Sequence, residues 1–259
     1  MKTSNKLLVG LLGVIMTVIL SFLIAARMNA EVASPEQRAK KQLGDVQGNG
    51  QLGVDLRSLP TFHAVALHSN MDVEISSSFE QVEVEAEDNL FGNIITSVDK
   101  ETLHIHWKEG EWANSTLPIK IRIPLDSLAA LSLNDRGFIT VLDTIISDTL
   151  TVNSYGGGDM SFHTAADHIR VNIHGNGNVE AAGTANHLNL NIYGSGDLSA
   201  LDLDLQTAFI HTEGNGGARV HVADELKGNT HGRGHVKLRG AANTAEFKAR
   251  NGRLIHLDE

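Results

Sequence analysis

The sequence predicts an all-β chain: a single-domain parallel β-helix (β-solenoid) of about 19-residue coils, preceded by an N-terminal hydrophobic helix. Three observations predict it. A Gly-rich turn recurs every 18 to 21 residues through the second half, apolar residues stand at fixed even offsets from each turn, and a charge-free apolar run follows the first basic residues.

The apolar run comes first in the chain. Lys2 and Lys6 precede Leu7 to Ala26, twenty residues without a charge. At 1.5 Å per residue such a helix spans roughly 30 Å, the thickness of a bilayer core. A cleavable signal has a shorter apolar stretch and a small-x-small exit. For a cut after Ala30 the −3 position holds Met28, and for a cut after Ala26 it holds Ile24. Residues 1–30 therefore read as an uncleaved signal anchor, with a cleaved signal peptide as the alternative. Either reading exports the rest to the bacterial cell envelope, periplasm or surface, with the basic end left inside. Residues 31–59 carry Pro35, a charged stretch near Arg38 to Lys41, and Gly44, Gly48, Gly50 and Gly53. Without a sustained apolar period they read as a linker, with a short helix around Pro35 to Leu43.

From residue 60 to 259 the chain alternates apolar and polar residues, which is a strand signal. His68 to Ile75 forms a degenerate turn with Leu67, Val73 and Ile75 in the inward phase. Strands follow around Val82 to Ala86, Ile94 to Val98, Leu103 to Trp107 and Ile119 to Ile123, the last bounded by Pro118 and Pro124. Trp107 and Trp112 are expected to cover the open end of the stack, since a terminal coil lacks one neighbour.

The clear repeats begin next. Tyr155-Gly156-Gly157-Gly158-Asp159 matches Tyr193-Gly194-Ser195-Gly196-Asp197, with related turns at His174, Glu213 and His231. The last glycines of the turns are Gly137, Gly158, Gly177, Gly196, Gly216, Gly234 and Gly252. Two residues after each stands an apolar residue: Ile139, Met160, Val179, Leu198, Ala218, Val236 and Leu254. Six before stand Leu131, Val152, Val171, Leu190 and Ile210. Even offsets place these side chains on one strand face. One coil cannot keep water from its apolar face, so coils must stack about 4.8 Å apart, and a period of this length predicts a solenoid. The turn glycines then serve corners that need positive φ and room for neighbouring coils.

Three outward columns carry chemistry. Asn153, Asn172, Asn191, His211 and Asn229 form a polar ladder. Tyr155, His174, Tyr193, Glu213 and His231 form the candidate surface-binding column, an aromatic and polar stripe. Asp159, Asn178 and Asp197 share a third column but offer fewer oxygens than the six to eight that calcium takes. Of 13 histidines, His104 and His106 share a strand face and His168 and His187 are ladder partners. Two imidazoles do not complete a metal site, and spacing reveals no third ligand. No cofactor, metal or catalytic residue is predicted. The chain has no Cys, which excludes thiol chemistry, and its net charge of −10 argues against a nucleic-acid partner.

The runs Asp72 to Ile75, Val82 to Ala86 and Asp88-Asn89-Leu90, together with Leu103 to Ile105, Ile119 to Pro124 and the repeated turns, resemble the putative auto-transporter adhesin head GIN domain family. The resemblance covers about Leu59 to Leu257. It implies an extracytoplasmic β-helical domain with an adhesive role, and it brings no catalytic residues. The turns at Arg136-Gly137 and at His231 to His235 depart from the family pattern. Two classes of function follow. The first is a non-catalytic envelope module, adhesin-like, membrane-attached by its N-terminal helix and binding a glycan, an envelope polymer or another protein. The second is a carbohydrate-active β-helix enzyme, a lyase or hydrolase, which needs a carboxylate pair or a proton acceptor in a cleft.

Overall fold

The computed structural model describes residues 46–109 and 113–257. The predicted hydrophobic helix, the short helix around Pro35 to Leu43, and Trp112 lie outside the described residues. Among the described residues no helix is long and apolar enough to cross a membrane. One 3-10 turn, Asp88–Leu90, is their sole helical element.

Ten short strands come first: β1 (Val46–Gln47), β2 (Leu52–Arg57), β3 (Ala64–Leu67), β4 (Asp72–Ser76), β5 (Val82–Glu87), β6 (Ile94–Asp99), β7 (Thr102–Trp107), β8 (Ala113–Asn114), β9 (Lys120–Pro124) and β10 (Ala130–Leu133). Five long ones wind the solenoid: β11 (Phe138–Gly156), β12 (Asp159–Gly175), β13 (Val179–Gly194), β14 (Leu198–Gly214) and β15 (Ala218–Gly232). Three short strands end it: β16 (His235–Arg239), β17 (Phe247–Arg250) and β18 (Arg253–His256).

Each long strand pairs in parallel with the next. The predicted columns are in register. Ile139 lies opposite Met160, followed by Val179, Leu198, Ala218, Val236 and Leu254. Leu131, Val152, Val171, Leu190 and Ile210 form the second column, every member at 0% exposure. Burying each such aliphatic contributes about 1.5–3 kcal/mol, which accounts for a core built with few aromatics. Phe162 is the large exception, buried within the Ala181 and Ala200 side of the stack.

The corners show a division of labour among the glycines that spacing did not reveal. In the turns with more than one glycine, positive φ falls on the first, as at Gly175 (136°) and Gly194 (131°). The predicted series from Gly137 to Gly252 has no positive φ. It serves close approach instead: a Cβ on Gly196 would strike the carbonyl oxygen of Gly177, and one on Gly177 would strike that of Gly158. The corners are also bonded. Ser195 and Gly196 both donate their N–H to the Gly175 carbonyl, at 2.8 and 2.9 Å.

The N-terminal end departs from simple winding. β3 and β4 form one coil, and β7 and β9 form another. In space β3 lies between β7 and β10, and β4 between β9 and β11. β9, the strand bounded by Pro118 and Pro124, is thus separated from β11 by a coil made earlier in the chain. Residues 125–129 strap across that coil: Leu125 donates to the Ser76 carbonyl (3.0 Å) and Ala129 to that of His63 (2.8 Å). Antiparallel ribbons close this end, β6 on β7 and β2 with β5 on β9, and Trp107 packs partly buried against the core as expected.

Composition reads residues 31–59 as a linker, yet 46–47 and 52–57 are strands. In β2 the pattern is inverted. Leu52, Val54 and Leu56 face solvent while Gly53, Asp55 and Arg57 face the sheet. Arg57 donates to the Ile94 carbonyl (2.7 Å) and the Phe91 carbonyl (3.0 Å). Glu87, at the end of β5, is fully buried. It accepts from the Gly50 N–H (2.7 Å), the Thr116 N–H (2.8 Å), the Thr116 hydroxyl and the Ser115 hydroxyl (2.9 Å). These donors, the Thr116 hydroxyl foremost, hold its pKa down at about 2.

Leu190→Ala is expected to cost about 2–5 kcal/mol in urea unfolding. Gly196→Ala should cost about 1–3 kcal/mol despite an ordinary φ, whereas Gly157→Ala, whose Cβ meets only the Arg136 side chain at 3.9 Å, should be near neutral. A depressed carboxylate pKa stabilises the fold above the ordinary Glu range, and that contribution disappears as pH falls toward about 2. Glu87→Gln should therefore lower the urea midpoint at pH 7, and the gap from the parent should shrink between about pH 4.5 and 2.

Candidate functional site

The long strands give the solenoid a face whose outward residues alternate with the Val171–Leu190 core column. On it the predicted stripe assembles in register: Tyr155 opposite His174, then Tyr193, Glu213 and His231. The rings of Tyr155 and His174 stack at 5.1 Å and 19°, and those of His174 and Tyr193 at 4.9 Å and 18°. Beyond Tyr193 the ring series turns aside to His211 (5.5 Å, 57°), because Glu213 takes the next place in the column. Both faces of His174 and one face each of Tyr155 and Tyr193 are therefore spent on neighbouring rings. What the middle of the stripe offers outward is ring edges: phenol hydroxyls, imidazole nitrogens and a carboxylate. Successive sugars stacked flat on successive rings do not fit this geometry, whereas hydrogen bonding along the stripe does.

The amide ladder runs beside it. Asn191 Nδ2 donates to Asn172 Oδ1 (3.1 Å), Asn172 Nδ2 to Asn153 Oδ1 (2.9 Å), and Asn153 Nδ2 to Ser132 Oγ (3.3 Å). In the same column His211 Nδ1 donates to Asn229 Oδ1 (2.8 Å), a separate link with an imidazole in place of an amide. Neighbouring coils thus satisfy each other's polar groups along the axis.

The acidic column on a second face has its own employment. Asp159 Oδ1 accepts the Asn178 N–H (2.8 Å), Asn178 Oδ1 accepts the Asp197 N–H (3.2 Å), and Asp197 Oδ1 accepts the Gly217 N–H (2.6 Å). Each side chain caps a backbone donor that the parallel ladder leaves over at the corner. These residues border an open groove of about 480 Å³, with Glu180 and Arg219 on its rim.

Two further histidine pairs stack away from the stripe. His104 stacks on His68 at 5.5 Å, with His68 Nε2 and His104 Nδ1 3.2 Å apart, while His106 Nδ1 donates to the Trp107 carbonyl. Burial, then the neighbouring His104 and His106, hold the His68 pKa below its ordinary value. His168 and His187 stack at 4.7 Å, and Asp167 stands beside them. Spacing did not reveal Asp167 as a partner of the pair. Strict strand alternation sends residues 167 and 168 to opposite faces, but at this corner both are exposed.

A family model described as "putative auto-transporter adhesin, head GIN domain" matches residues 61–242. No curated protein matches the chain. Among solved structures, a putative adhesin from Bacteroides fragilis superposes with a TM-score of 0.75 at 17% identity, covering 82% of this chain and 100% of that one. A Parabacteroides distasonis protein described as a putative lipid binding protein gives 0.66 at 19% identity, over 82% and 99% of the two chains. A putative adhesin from the same species gives 0.64 at 24% identity, with the same coverage. At these identities the solved structures establish the β-solenoid fold. The family match spans most of the sequence, and the chain belongs to the family of the putative auto-transporter adhesin, head GIN domain.

Proposed function

We propose that the chain is an exported, non-catalytic cell-envelope module with adhesin-like binding, and that the face bearing Tyr155, His174, Tyr193, Glu213 and His231 is its contact surface. The observation that carries this reading is periodicity. Hydrogen-bonding edges repeat along the axis at ring separations of 5.1 and 4.9 Å, on a parallel sheet paired in register. A hydroxyl-rich polymer laid along the axis meets a hydrogen-bonding side chain at every step, so weak contacts add up along its length. The occupant that suits such a stripe is an envelope glycan.

Membership of the adhesin family supports the binding role. The uncharged run Leu7 to Ala26 behind Lys2 and Lys6 supports export and attachment through residues 1–30. In this reading residues 60–259, extended by β1 and β2, form the head. The acids Asp159 and Asp197 cap backbone donors, an arrangement that suits a structural role better than proton transfer.

The full chain should bind a subset of immobilised envelope polysaccharides on a glycan array and release no fragments from them. The double substitution His174→Ala and Tyr193→Ala should weaken binding at least tenfold with the β-sheet circular dichroism unchanged. Unchanged binding in that variant overturns the surface assignment, and polysaccharide turnover that stops when one acidic cluster is substituted overturns the non-catalytic reading.

A further inference from the structure

We propose that Asp167, His168 and His187 form a surface site for a divalent transition cation of the zinc class. The three residues come together through the winding. His187 occupies the place of His168 one coil later, so their rings lie 4.7 Å apart at 21°. The corner at the end of this coil segment turns Asp167 outward next to His168, with Asp167 Oδ2 3.2 Å from His168 Nε2. One ligand atom from each of the three residues lies within 4.8 Å of the others. Ligands of a tetrahedral zinc, bound at about 2.0–2.2 Å, sit about 3.3–3.6 Å from one another. All three side chains are exposed, so rotation about their own bonds closes that gap without moving the backbone.

Two further hydrogen bonds aim the set. Asn186, from the next coil, donates its Nδ2 to Asp167 Oδ1 at 2.6 Å and leaves Oδ2 turned to the histidines. Thr207, one coil beyond His187, holds His187 Nδ1 at 2.8 Å and leaves Nε2 for a metal. Partners of this kind fix ring orientation and tautomer around bound metals. Asp148 adds an acidic group at the corner place one coil before Asp167. Two cations line the groove beside the histidines, Arg170 and Lys227, and Lys227 is paired with Glu225 (3.1 Å) and Glu246 (3.4 Å).

The donor set selects the metal. Two imidazoles and one carboxylate suit zinc, nickel or copper, whereas calcium and magnesium take oxygen-rich shells. Three protein ligands leave one position of a tetrahedral ion open to solvent. The site stands apart from the Tyr155–His231 stripe, so its test is independent of the glycan reading.

Isothermal titration of the full chain with zinc chloride tests the proposal. Saturable binding near one ion per chain is expected, with magnitude unchanged in excess calcium. His168→Ala and His187→Ala should each weaken it at least tenfold, and Thr207→Val by about tenfold. His104→Ala, which alters the other stacked pair, should leave it unchanged. These positions are exposed, and circular dichroism should confirm the fold in each variant. The absence of saturable zinc binding overturns the site. So does zinc binding that survives the combined His168→Ala and His187→Ala change, or that is lost in His104→Ala instead.

Discussion

Successive windings lie one strand spacing apart, and the rest of the molecule depends on that closeness. A separation near 4.8 Å admits a parallel backbone ladder only where nothing protrudes between the coils. At the corners the glycine series from Gly137 to Gly252 meets this condition, because the space a Cβ needs is filled by the carbonyl of the coil below. With the corners closed, each side chain faces a copy of its own position. Aliphatics then seal the interior, amides bond to amides and rings stack on rings. The interior needs no large aromatics, because its depth comes from repetition.

The same constraint explains what the sequence made legible. A winding that stacks in register imposes its period on the residues, so the Ile139–Leu254 and Leu131–Ile210 columns can be read from spacing alone. Where the period fails, so does the reading. β2 carries its apolar residues outward and buries Arg57 against carbonyls, which inverts the pattern that marks a strand. The coil of β3 and β4 sits between two coils made later, and an insertion in space leaves no mark in a linear period. The split between glycines of positive φ and glycines of close approach was likewise hidden, since both are the same residue at neighbouring positions.

The candidate stripe was legible as a column but not as a surface. Spacing aligned Tyr155, His174 and Tyr193, whereas the mode of presentation depended on ring orientation. The rings lie flat against one another, so the stripe presents a row of polar edges. Asp167 was missed for a related reason. Alternation assigns neighbours to opposite faces, and only a corner, where the chain changes direction, brings 167 and 168 to the same side.

The interposed position of β3 and β4 bears on how the molecule comes into being. That winding is synthesised before both of its neighbours in the stack, so the base of the solenoid cannot grow in the order in which it emerges. A long excursion must return beneath it before the strap at 125–129 can pass over, and contacts of such high sequence separation form slowly. The later windings each find their template already laid down by the preceding one. Closing the clasp at the N-terminal end thus spans the larger sequence separation, whereas each later winding pairs with the one made about 19 residues before it.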